Sequence, residues 1–383
     1  MLLFSTRLSP LLLSSLTMLA LLSGRARAWS ARHSVVASRR LATPRLLLSS
    51  SSDDNSSNDK SPSTTSTTTT STTATQSFQN TNNIRDQVFS ALSADGGIKV
   101  TACTVRNLVN DLLFQHTLNE TPAHALGKTV VCGLLMANGM PDEHVVQITL
   151  QTNTAPLRGV VCLVTGAGGV KGYVGTPGLA TMPLPQALGR DGSVQIVKNH
   201  PDWPRPYSGI TAMVHGDVDR DIGRYLAESE QRSCALAAAT QISGILCTAA
   251  GGYLVEQLPG VEEATVEKVQ ENLAKLVAED GGDQLPTNLL QSGVSPLDMA
   301  AMILEGLDMV PLQEIEPKLE CECSEDRLYR AVRLLPPEDV EDILEKEDKV
   351  EARCQFCGKV YEFQADDLRS RMERDKDIDP SRD

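Results

Sequence analysis

Two cysteines one residue apart, Cys321 and Cys323, followed after thirty residues by Cys354-x-x-Cys357, constrain this chain more than any other feature. Four sulfurs, with no histidine after His215, match the donor set of a tetrahedral four-cysteine zinc site. The surrounding stretch KLECECSEDR (318–327) is acidic, and nearby negative charge disfavours thiolate. A bound zinc ion removes that difficulty, because it keeps its thiolates deprotonated and stabilises a small domain by about 10–16 kcal/mol.

The flanking sequence supports a small metal-folded domain. SEDRLYRAVRLL (324–335) predicts a helix with Ser324 as N-cap, Asp326 in its first turn and Arg333 in its last. PPEDVEDILEKE begins a second helix, and KVEARCQFCGKVYEF (349–363) predicts strand, knuckle turn at Gly358, strand. On spacing alone the site can be purely structural, the commonest role of four cysteines. However, C-x-C is less usual than paired C-x-x-C knuckles. Each adjacent pair can also close into a disulfide with little backbone travel, and the small C-x-C ring would be strained and readily reduced. A thiol oxidoreductase built on CQFC would need the motif to open a helix, whereas here it lies between strands.

Charge weighs against nucleic acid and anionic membrane as partners. Residues 1–52 hold seven arginines and no acid, so a formal −14 for the whole chain leaves −21 for the rest. Within those 52 residues, a twelve-residue apolar run (11–22) is too short to span a bilayer. It precedes Ala26-Arg27-Ala28, a small-x-small cleavage site, and then an Arg- and Ser-rich stretch. This resembles a bipartite plastid presequence, with a plain secretory signal as the alternative. Residues 53–83 form a Ser/Thr-rich linker that cannot bury a core.

Residues 84–260 predict an α+β domain with an extensive, mostly antiparallel sheet. IKVTACTV, HVVQITLQT, LRGVVCLVT, VKGYVG, VQIVKNH, YSGITAMVHG, SCALAAATQ and GGYLVEQLP read as strands. VRNLVNDLLFQH and an apolar stretch starting at Thr121-Pro122 read as helices, as does 217–231 with Asp217 at its N-cap. GAGGVKGYVG (166–175) matches neither glycine-rich nucleotide motif and predicts a hairpin turn. Cys103, Cys132, Cys162, Cys234 and Cys247 each sit alone in apolar runs, as small buried hydrophobes do. Residues 261–280 predict a helix with a thin apolar stripe of Val266, Val269, Leu273 and Leu276, and 281–316 short helical pieces broken by Gly and Pro; together they make a linker region, 261–316, that must rest on another domain, before the zinc domain at 317–383.

CEC (321–323), CQFC (354–357) and KVYEF (359–363) resemble the heat shock protein 33 family of redox-regulated chaperones. PLRGVVCLV (156–164), YSGI (207–210), DIGRYLAESEQ (221–231) and AGGYLVEQLPG (250–260) extend the likeness in the same order. The sequence departs at SEDR (324–327), where family members commonly carry a basic residue. The resemblance implies an ATP-independent holdase, not an enzyme, that protects proteins unfolding under oxidative and heat stress. It implies one Zn2+ on Cys321, Cys323, Cys354 and Cys357 in the reduced state. On oxidation it implies Cys354–Cys357 and Cys321–Cys323 disulfides, loss of zinc, linker unfolding and homodimerisation. Val266, Val269, Leu273, Met302 and Leu304 are the expected client-binding positions. The alternative is a zinc-stabilised binding protein whose four-cysteine site is inert.

Overall fold

A computed structural model describes residues 85–280, 286–335, 340–341, 344–345 and 349–378. The presequence and Ser/Thr-rich segment read from the sequence lie outside these, as does most of the helix expected at PPEDVEDILEKE. Among the described residues no helix is long and apolar enough to cross a membrane.

The chain is α+β and its sheets are mostly antiparallel, as its strand patterns predict. It opens with β1 (Gln87–Ser93) and β2 (Ile98–Thr104), then α1 (Arg106–His116) and α2 (Glu120–Ala137). A meander follows, β3 (Val145–Gln151), β4 (Val160–Thr165), β5 (Gly169–Val174), a short α3 (Leu184–Leu188), β6 (Ser193–Asn199) and β7 (Tyr207–Ala212). Next come α4 (Val218–Glu228), β8 (Cys234–Ser243) and β9 (Leu246–Gln257). Three helices then run in succession, α5 (Glu263–Glu279), α6 (Thr287–Ser292) and α7 (Pro296–Ile303), before β10 (Met309–Ile315) and β11 (Lys318–Leu319). The C-terminal part holds α8 (Glu325–Val332), β12 (Lys349–Arg353), β13 (Val360–Gln364) and α9 (Ala365–Ile378).

Two sheets carry the first half. One has the order β10-β1-β2-β9-β8 and the other β11-β5-β4-β3-β6-β7. Helix α2 is apolar on every side, which only a fully enclosed helix tolerates, and it buries 16 of its 18 residues. It packs on strands of both sheets, so the main core (Val88, Leu126, Leu134, Ile148, Ile196, Leu254) forms around it. Alternation along β1, β2 and β9 sends the other set of side chains (Phe89, Val100, Ala102, Tyr253, Val255) to the opposite face. That face would be wet were it not covered by α5, α6 and α7 through Val269, Leu276, Leu290, Met299 and Ile303.

Three local readings change. Residues 309–315, expected among helical pieces, are strand β10, paired antiparallel with β1, itself absent from the sequence reading. Pro311 is tolerated because β10 is an edge strand and the register shifts at Ser90/Ala91 beside it. Thr121 is not the cap of α2, which begins after Asn119; its Oγ1 instead donates to the Met182 carbonyl at 2.8 Å. Asp217 occupies the N-cap of α4 without capping, its carboxylate drawn to Lys128 Nζ at 2.6 Å. Asp221 instead ties down the loop before the helix: its carboxylate accepts from the N–H groups of Val214, His215, Gly216 and Asp217 at 2.9–3.2 Å.

His124 on α2 meets Thr240 Oγ1 at 2.9 Å. Burial pushes its pKa below the ordinary histidine value, with Lys128 adding to the shift and Glu120 and the Thr240 contact opposing it. The unfolded chain then takes up the proton first. Stability from this group is therefore complete above about pH 6.5 and lost as pH falls through the depressed folded value. Urea midpoints of the reduced protein at pH 7.5 and 5.5 should differ less for His124→Gln than for the parent. An equal pH dependence would contradict this.

Candidate metal centre

The first half of the cysteine set is delivered by the edge of the six-stranded sheet. β11 pairs in parallel with β5, Lys318 opposite Gly169 and Leu319 opposite Val170, and the Glu320 N–H extends the ladder to the Val170 carbonyl at 2.9 Å. Residues 166–168 form the β4–β5 hairpin expected of the glycine run, with Gly168 at φ +85°. The backbone of Glu316 and Pro317 passes within 4 Å of the position a Gly168 side chain would take. The run thus makes room for the strand that leads into Cys321.

The second half sits on the β12–β13 hairpin, in register from Lys349 opposite Gln364 to Arg353 opposite Val360. Its knuckle is closed by the Cys354 N–H on the Lys359 carbonyl (2.9 Å) and the Gly358 N–H on the Cys354 carbonyl (2.8 Å), with Gly358 at φ +73°. Between the halves, Ser324 caps α8 as predicted, its Oγ accepting from the Arg327 N–H at 3.3 Å. A small core of Leu328, Tyr329, Val332, Val350, Phe363 and Leu368 unites α8, the hairpin and α9.

The four sulfurs lie within 4.8 Å of one another. Cys321 Sγ is 3.8 Å from Cys354 Sγ, and Cys323 Sγ is 3.3 Å from Cys357 Sγ. A tetrahedral ion with metal–sulfur bonds of about 2.3 Å places its sulfurs about 3.8 Å apart, so the donor set fits a metal ion of this type. Burial raises the Cys321 thiol and pushes Cys357 up to about 12. Cys323 behaves oppositely: burial works against its thiolate, but hydrogen bonds from Tyr361 and the neighbouring thiols outweigh this and bring it to about 7.

The acids that made KLECECSEDR look hostile to thiolates are partnered. Arg327 holds Glu322 at 3.1 Å, and Arg371 of α9 reaches Glu325 at 3.4 Å and also Asp326, its guanidinium 4.0 Å from the Tyr329 ring centroid. Sequence reading assigned no role to Arg371. It also missed Tyr361, whose hydroxyl donates to the Cys323 carbonyl (3.0 Å) and to Cys323 Sγ (3.3 Å). Phe356, between the knuckle cysteines, was likewise missed. Its carbonyl accepts from Gln115 Nε2 at 2.6 Å, and its ring stands edge-on to Tyr173 at 5.2 Å. The knuckle thus rests on α1 and β5.

The expected client-binding positions lie elsewhere. Val269 and Leu304 are buried and Val266, Leu273 and Met302 half-buried, all packed in the second core beneath α5 and α7. Of the lone cysteines, Cys103, Cys132, Cys162 and Cys247 are buried and Cys234 is half-buried. Burial raises all five thiols, Cys234 to about 11 and Cys162 and Cys247 to about 12. They are poor nucleophiles where they stand.

A protein-family model described as Hsp33 protein matches residues 86–364. The 33 kDa chaperonin of Clostridioides difficile is 30% identical over 292 residues, covering 74% of this chain and 98% of its own. That of Synechocystis sp. is 33% identical over 288 residues, covering 72% and 92%. Among solved structures, the 33 kDa chaperonin of Thermotoga maritima shares the fold, with a TM-score of 0.68 at 21% identity, covering 76% of this chain and 99% of that one.

Proposed function

As the chain belongs to the Hsp33 family, we propose that it is a molecular chaperone without enzymatic activity, an ATP-independent holdase switched on by oxidation of the cysteine tetrad. The observation that carries this is the gathering of Cys321, Cys323, Cys354 and Cys357 within 4.8 Å of one another, joined through β11 and β10 to the sheet on which α5–α7 rest. The names of the relatives support the chaperone role, and the donor set supports zinc. A bound Zn2+ would hold four thiolates and fold the small domain around them.

In the reduced state the tetrad fixes the knuckle, and the knuckle holds Phe356 against Gln115 and Tyr173. Hydrogen peroxide is the oxidant. A cysteine thiolate attacks one peroxide oxygen and expels hydroxide, giving a sulfenic acid; a second thiolate attacks that sulfur and expels hydroxide again. Two electrons pass from each cysteine pair to one peroxide, which with two protons becomes two waters. Cys354–Cys357 and Cys321–Cys323 are the proposed products. Sulfurs paired in this way no longer supply four thiolates, so the domain loses its fold.

That loss reaches the linker through Cys321, β11 and β10. Helices α5–α7 then detach and expose Val266, Val269, Leu273, Met302 and Leu304 to unfolding clients. The oxidised protein acts as a homodimer, and a strongly acidic body keeps it soluble while apolar surface is exposed. We also propose a plastid location, supported by the bipartite pattern of residues 1–52. A fluorescent fusion of residues 1–83 should enter the plastid, and confinement to the secretory pathway would contradict it.

Thiol and metal counting tests the switch. Peroxide should remove four of the nine thiols as one zinc is released, leaving the five lone cysteines to react only after denaturation. Retention of zinc with all four tetrad thiols intact would mark the site as purely structural.

A further inference from the structure

A cleft of about 510 Å³, within the size range of small-ligand sites, is lined by both the main domain and the linker. The main domain supplies Glu120, His124 and Lys128 of α2, Asp217 before α4, and Thr240 of β8. The linker supplies Asp280, Thr287 and Asn288, where α5 ends and α6 begins. Three carboxylates, Glu120, Asp217 and Asp280, thus share the lining with one ammonium, Lys128. That ammonium is already committed, its Nζ lying 2.6 Å from Asp217 and 2.5 Å from Asp219. Asp280 is 1% exposed, and its Oδ1 accepts from the Leu289 N–H at 2.7 Å. Its other oxygen, Oδ2, is buried with no hydrogen-bond partner among the described residues. A buried carboxylate oxygen left unpaired in an acidic lining is costly, and a cation brought to it removes the cost.

The lining also decides which cation fits. Among the described residues only the four cysteines gather three or more metal-ligating side chains within 4.8 Å, so no three groups of the cleft converge on one ion. An extended cation can instead meet the carboxylates one at a time. Met182, Pro183, Leu184 and Pro185 add apolar surface to the same lining, which suits a methylene chain between charged ends. From this we propose that the cleft binds a small aliphatic polyamine, which bridges Asp280 of the linker to Glu120 and Asp217 of the main domain. Such a ligand fits only while α5 and α6 are packed in place, so it holds the linker down. By linkage, at ten times its dissociation constant the opened population falls about tenfold. Its effect on linker release after oxidation rests on the thiol-switch reading above; the site itself does not.

Spermidine is the probe, titrated by calorimetry into the reduced, zinc-loaded mature chain at fixed ionic strength. One saturable site is expected. Asp280→Asn keeps the acceptor for the Leu289 N–H and removes the charge, and should weaken binding at least about tenfold. Glu120→Gln, on the main domain, should weaken it by about two- to fivefold. It serves as the test if Asp280→Asn loosens the linker by itself. Spermidine at ten times its Kd should also slow limited proteolysis of the linker in the reduced parent about tenfold.

No saturable binding, binding by both variants equal to the parent's, or equal protection by magnesium chloride at the same ionic strength would overturn the proposal. Every readout uses reduced protein without oxidant, so these failures leave the thiol switch standing. Conversely, a protein that binds spermidine at this site yet keeps its four thiols and its zinc under peroxide would refute the switch and support the site.

Discussion

Cys354→Ser should abolish metal binding and unfold the C-terminal domain while the two larger sheets remain folded. Cys354 is the most buried of the four ligand candidates and closes the knuckle through its own N–H and carbonyl. A serine hydroxyl keeps the shape but is a poor ligand for a thiolate-selecting ion. The core that would have to stand alone is small, with Leu328, Tyr329, Val332, Val350, Phe363 and Leu368 as its main members. Metal binding typically contributes on the order of 10–16 kcal/mol to domains of this kind, far more than such a core can replace. Hydrogen exchange should show residues 325–378 unprotected in the variant and β2, β9 and α2 protected as before. Protection throughout, with metal absent, would mean that the C-terminal fold does not depend on the cysteines.

Ile303→Asp should separate the switch from its effect. Ile303 is fully buried on α7 against β1 and β2, in the second core with Met299 and Leu304. A carboxylate there has no partner, and an uncompensated buried charge costs about 3–5 kcal/mol. The cost falls on α5–α7, because the main core around α2 lies on the other face of the sheet and β10 keeps its ladder to β1. The reduced variant should therefore hold its zinc, expose the linker to limited proteolysis and suppress client aggregation without peroxide. A variant with an exposed linker and no holdase activity would show that these helices do not cover the client-binding surface.

The cysteine cluster could be read almost whole from the sequence because it is local: two short motifs, a spacing and a glycine at the knuckle. The groups that tune it could not. Arg371 reaches Asp326 across 45 residues and Tyr361 reaches Cys323 across 38, and neither contact leaves a mark in composition or periodicity. The strands with clean alternation, such as VVQITLQ, were evident, whereas β10 was not: MVPLQEI contains a proline and finds its partner β1 more than 200 residues away. The thin stripe read along α5 holds for that helix alone, where Val269 and Leu276 are buried and Val266 and Leu273 half-buried. Helix α7 packs more firmly, since Met299, Ala300 and Ile303 are all buried and Ser295 and Asp298 form a capping box at its start.

Oxidation of the tetrad should convert a folded, inactive protein into one that holds unfolding clients. Light scattering of a thermally unfolding client, with the mature chain either reduced and zinc-loaded or treated with peroxide at elevated temperature, tests it most directly. Only the oxidised form should suppress aggregation, and reduction should abolish the effect. Suppression by neither form, with zinc retained under peroxide, would contradict the account and leave Cys321, Cys323, Cys354 and Cys357 as an inert structural site.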